Sequence, residues 1–93
     1  MDTQEARRLI EEQLAKYRTL GYTGLLRLLQ EQDTFELDGD TGTKYQVEIQ
    51  AVWDDRKGGD LRVLGSIDDG GWRSFVPLTS SFIIGPEDTL IGE

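Results

Sequence analysis

The sequence contains no cysteine and no histidine, and only two prolines, in 93 residues. Without cysteine there is no disulfide, no thiolate nucleophile and no zinc site of the cysteine type. Without histidine the chain lacks the usual general base near neutral pH and the commonest transition-metal ligand. A Ser-His-Asp or Cys-His site is excluded, and catalysis would fall to carboxylates, Lys, Tyr or Ser. The acid pairs that exist lie in turns rather than in a recognisable pocket, so the expectation is a protein that is not an enzyme and carries no cofactor. The chain also has no apolar run near the ~20 residues of a membrane span. Its start, MDTQEARRLI, lacks the basic and apolar regions of a secretory leader. These absences predict a soluble cytoplasmic protein, with which the lack of cysteine is compatible.

Positive charge is scarce too. Ten Lys and Arg stand against 18 Asp and Glu, for a net charge of −8. The excess is unevenly placed. Residues 1–32 hold five acids and five bases, whereas residues 33–93 hold thirteen acids and five bases. Nucleic acid and anionic membrane are therefore improbable partners, because both require cationic neutralisation. A basic protein or a cation would be attracted. The plainer reading is that the acidity keeps a small domain soluble. With 37% hydrophobic and 30% charged residues the chain is globular rather than disordered, and its length suits one domain over 1–93.

Residues 3–20 have the spacing of an amphipathic helix, with Ala6, Leu9, Ile10, Leu14, Tyr17 and Leu20 on one stripe. Asp2 and Glu5 have capping-box spacing, and Gly21 suits a left-handed C-cap. A second short helix follows, with Thr23 as its N-cap and Leu25, Leu28 and Leu29 inward. From Thr34 the period becomes two. TFEL is a short strand and DGDTG a turn. In KYQVEIQAVW, Tyr45, Val47, Ile49, Ala51 and Trp53 point one way. In LRVLGSI, Leu61, Val63, Gly65 and Ile67 do the same. A fourth strand is predicted over WRSFVPL, with a free edge or an ending at Pro77. The fold class is thus α+β: two N-terminal helices packed on a four-stranded antiparallel meander, with the C-terminal tail closing an edge or a face.

The stretch SIDDGGWR tests this pattern. An Asp69-Gly70 two-residue turn would place Ile67 opposite Trp72, Gly65 opposite Ser74, Val63 opposite Val76 and Leu61 opposite Leu78. On the other face Ser66 would meet Arg73, Leu64 would meet Phe75, and Arg62 would meet Pro77. Pairing Trp53 with Leu61 would then put Glu48 beside Ser66, giving a row Glu48–Ser66–Arg73 next to an apolar Leu64–Phe75 patch. Trp and Arg are typical hot-spot residues, and an apolar patch on a sheet face marks an interaction surface. Glu48, Leu64, Ser66, Trp72, Arg73 and Phe75 are therefore the candidate protein-binding residues, unless the tail covers them and Trp72 belongs to the core. The alternative site is metallic. Asp38 and Asp40 in one turn and Asp68 and Asp69 in another lie at the same sheet end, though DGDTGTKYQVEI fails the calcium-loop pattern and Asp and Gly are ordinary turn residues.

The runs GTKYQVEIQ, VWDD and RVLGSIDDGGWRSFVPL, followed by FI, a proline and a final GE, resemble a family of short uncharacterised bacterial proteins. The resemblance covers about residues 42–93, and SIDDGGWR with its downstream F-x-P-L is its specific part. It implies a bacterial soluble domain and no particular chemistry. Family members tend to carry an Asp-Gly turn after the last proline, where this chain has Glu87-Asp88.

Overall fold

The computed structural model describes residues 1–71 and 77–92. Helix α1 (Thr3–Arg18) begins where the Asp2 carboxylate accepts the Glu5 amide at 3.0 Å, satisfying one orphan donor of the first turn. Glu5 does not return the bond, as a capping box would. Its carboxylate accepts instead from the Asp40 amide and the Tyr45 hydroxyl, both at 2.8 Å. Lys16 and Arg18 occupy the last turn, where the helix dipole favours cations.

Helix α2 (Gly21–Leu25) and a 3₁₀ turn (Leu26–Leu29) follow. Thr23 does not cap α2, because the helix starts two residues earlier, at Gly21 with φ +77°. Leu20 at the cap offers no side-chain hydrogen bond. The cap comes from the other end of the chain: the Tyr22 amide donates to the Asp88 carboxylate at 2.7 Å. Asp88 itself has φ +65°, alone among the described non-glycine residues in being positive. The turn that departs from Asp-Gly is thus accommodated by an Asp in the left-handed region, which tolerates Asp better than most residues.

Among the described residues five antiparallel strands form one sheet. They are β1 (Asp33–Asp38), β2 (Lys44–Trp53), β3 (Leu61–Asp68), β4 (Leu78–Ile84) and β5 (Leu90–Ile91), each beside the next. The β2–β3 register pairs Trp53 with Leu61 and Glu48 with Ser66, as the alternation predicts. The β3–β4 register corrects the expected hairpin. Ile67 lies opposite Leu78, Val63 opposite Phe82 and Leu61 opposite Ile84. Asp69-Gly70 therefore does not close a two-residue turn, and β4 starts just after Pro77, where the missing amide donor matters least. Trp72 to Val76 of the predicted fourth strand lie outside the described residues. The tail residues make β4 and β5, so the sheet has five strands rather than four. Ile83 pairs with Ile91 and Ile84 with Leu90, which continues the sheet at its edge.

One face of the sheet is apolar. Tyr45, Val47, Ile49, Ala51, Leu61, Val63, Ile67, Phe82 and Ile84 form a single buried cluster with Ala6, Leu9, Ile10, Leu14, Tyr22, Leu25 and Leu28. Gly65 sits in the middle of the core-facing row of β3. A Cβ there would lie 2.9 Å from Ile10 Cδ1 and 3.2 Å from Ile49 Cδ1. Glycine weakens a strand interior, and it is found where another element approaches closely. Here that element is α1, through Ile10. No helix among the described residues is long and apolar enough to cross a membrane.

Gly65→Ala overpacks the Ile10 contact and should cost about 1–3 kcal/mol in urea unfolding, part of which Ile10→Val restores. Asp88→Gly keeps the backbone conformation but removes the cap, and should cost about 1 kcal/mol while Asp88→Asn stays near wild type. An Asp88→Gly protein as stable as the parent would show that the long-range cap contributes nothing.

Candidate functional site

Strand geometry sends alternate side chains to the face opposite the core. The register lines them up in rows. The first row is Val52, Arg62, Ile83 and Ile91; the second is Gln50, Leu64 and Ser81; the third is Thr34, Glu48, Ser66 and Thr79. Neighbours within a row are about 4.8 Å apart at the backbone. The first row is largely apolar. Val52 is 44% exposed and Ile91 40%, with Ile83 partly buried between them and Arg62 in the same row. Arg62 is neutralised in place. Its guanidinium contacts the Asp54 carboxylate at 2.8 and 3.0 Å and donates to the Ser81 hydroxyl at 3.3 Å.

Beside this row the second and third rows enclose a shallow depression of about 160 Å³, lined by Glu48, Gln50, Leu64, Gly65, Ser66 and Thr79. Three of the residues singled out from the sequence, Glu48, Leu64 and Ser66, are thus brought together. The rest of the expected row is corrected: the β4 neighbour of Ser66 is Thr79, not Arg73. Likewise Leu64 faces Ser81 rather than Phe75, and Arg62 faces Ile83 rather than Pro77. Trp72, Arg73 and Phe75 lie outside the described residues. Sequence reasoning missed Gln50, Thr79, Ile83 and Ile91. The FII run held the signal for Ile83, since three consecutive apolar residues in a strand must place one on the face opposite the other two.

The four aspartates of the metal alternative are held by separate partners. Asp38 takes Lys44 Nζ at 2.6 Å, and Asp40 takes Arg8 at 3.2 Å. Asp68 accepts the Gly70 amide at 2.8 Å, and Asp69 accepts the Gly71 amide at 3.1 Å. Asp69 also lies 3.5 Å from the Met1 ammonium. No group of three or more such ligands among the described residues could hold a metal ion. Asp40, whose amide binds Glu5, and Asp69, beside the Met1 ammonium, lie near the start of α1, whose partial positive charge favours them. The Asp40 amide, then the Tyr45 hydroxyl, hold Glu5 below the usual carboxylate range. Asp69 is lowered chiefly by the Gly71 amide. Burial, then the bond to Glu5, pushes Tyr45 up to about 12. At the other end of the helix, hydrogen bonds from Arg27 and then Tyr17 lower Asp33 to about 2.

The Tyr45 shift has a defined sign. A phenol raised in the folded state contributes stability that is complete below its unfolded value of 10.0 and is lost as pH rises towards about 12. Urea midpoints should fall across that window, and fall less in Tyr45→Phe. An equal fall in both proteins would remove Tyr45 as the cause. No family model matches the chain, and neither does any curated protein or solved structure. A functional reading therefore rests on the geometry and charge of the face itself.

Proposed function

We propose that this chain is a non-catalytic protein-interaction module of the cytoplasm, which offers the open face of its sheet to a basic protein partner and masks it. The observation that carries the reading is the row Val52–Arg62–Ile83–Ile91, with two apolar side chains more than a third exposed beside the depression at Glu48 and Ser66. Exposed apolar groups grouped on one face, with a polar margin, are the usual anatomy of a docking surface. The net charge of −8 selects the partner, since it speeds encounter with a basic surface and repels acidic ones, including a second copy of the chain. The same charge argues against nucleic acid and anionic membrane as partners. No cofactor is required for such a role.

A divalent-cation module at Asp38, Asp40, Asp68 and Asp69 is the weaker reading. Calcium takes 6–8 oxygens, and these carboxylates already have protein partners. Calorimetry with calcium and magnesium decides it, because a bound metal releases or absorbs heat and raises the melting temperature.

The interaction reading is tested by affinity capture with the wild-type protein and with Val52→Arg, which places a cation on the apolar row. The captured partner should be basic, be released by salt, and bind the variant about tenfold or more weakly at an unchanged melting temperature. An acidic partner, or equal capture by both proteins, would contradict the proposal.

A further inference from the structure

We infer that the depression between β2, β3 and β4 receives one cationic side chain, a lysine or an arginine, presented by the partner. The inference rests on the reading of this face as a docking surface and names the chemistry of its central contact. Size is the first argument. At about 160 Å³ the depression is well below the ~300–1,000 Å³ of small-molecule sites, and suits a single side chain rather than a free ligand.

The lining is the second argument. A carboxylate (Glu48), two hydroxyls (Ser66, Thr79) and a carboxamide (Gln50) supply acceptors, and no lysine or arginine among the described residues lines the depression. Leu64 and the Gly65 backbone supply an apolar surface. An aliphatic stem with a charged tip matches that combination, because the stem lies on apolar surface while the tip reaches the acceptors. An anion would instead meet the Glu48 carboxylate, with no cation among the described lining residues to offset it.

Glu48 also differs from the neighbouring acids. Other carboxylates of the face are engaged: Glu36 accepts from Gln46 at 2.7 Å, Asp38 from Lys44 at 2.6 Å and Asp68 from the Gly70 amide at 2.8 Å. Glu48 is exposed and has no hydrogen-bond or ion-pair partner among the described residues. Among the described residues it is thus a carboxylate of this face open to an incoming cation. Leu64 belongs to the depression and adjoins the apolar row, so a partner could fill both with one strand or loop.

The test uses the full chain, isotope-labelled, titrated with two blocked peptides, one alternating valine with arginine and one alternating valine with lysine. Glu48→Gln is compared with Asp55→Asn, which removes the same charge from the exposed β2–β3 turn. Binding should shift the Ser66 and Thr79 resonances. Glu48→Gln should weaken it about tenfold, and Asp55→Asn by no more than about twofold. The tighter peptide identifies the preferred head group. Equal weakening by the two variants, shifts confined to other residues, or no binding by either peptide would overturn the inference. Partner capture separates it from the wider reading. A partner lost with Val52→Arg but kept with Glu48→Gln leaves the face reading standing and removes the cation pocket. A partner kept by both variants overturns the face reading itself.

Discussion

The structure depends on the close approach of Ile10 to Gly65. A Cβ at that strand position would fall 2.9 Å from Ile10 Cδ1, so any larger residue there forces Ile10 to shift. The other helix–sheet links are compatible with this seat. Glu5 of the same helix reaches Tyr45 on β2, Glu11 reaches Ser80 on β4, and the Arg18 guanidinium lies 5.0 Å from the centre of the Phe82 ring. Ser80 is the β4 partner of Gly65, so the residue opposite the gap is small as well. Tyr22 adds a further tie, donating its hydroxyl to the Gly59 carbonyl at 2.7 Å. A sheet that commits one face to this core leaves the other for a different purpose.

That other face combines features that solubility alone does not require. Solubility accounts for acids at strand ends and in turns, and Asp38 and Asp68, which end β1 and β3, and Asp40 and Asp69, in the turns that follow, all have partners of their own. It does not account for Val52 and Ile91 lying exposed in one row while Glu48 stands without a partner among the described residues beside them. The proposed role follows from that contrast. Arg62, locked to Asp54, also fits it, because a cation already neutralised within the fold offers little opposition to a basic partner.

The sequence made some elements legible and concealed others for physical reasons. Helix α1, its Asp2 cap, strands β2 and β3 and their register could all be read, because each rests on local periodicity or local capping. The β3–β4 register could not. The expected pairing set Leu61 against Leu78, whereas the observed one sets it against Ile84, six residues further on. An even displacement keeps every side chain on its face. Both registers give Ile67, Val63 and Leu61 apolar partners, and both set a serine against Gly65. Alternation therefore rules out odd slips and is blind to this one. The cap of α2 was hidden for another reason: Asp88 is 66 residues from Tyr22, and nothing near Gly21 announces it. Of the candidate site, Glu48, Leu64 and Ser66 were legible because their pairing was internal to β2 and β3. Thr79, Ile83 and Ile91 were not, because their place depends on where β4 begins.

The most direct test of the docking face is methyl NMR of the domain alone and bound to the basic partner it captures. The account predicts shifts at Val52, Leu64, Ile83 and Ile91, with Val47, Ile49 and Val63 on the core face unchanged. Shifts confined to the core-face methyls or to the residue 39–43 turn, with the four open-face methyls unmoved, would contradict it.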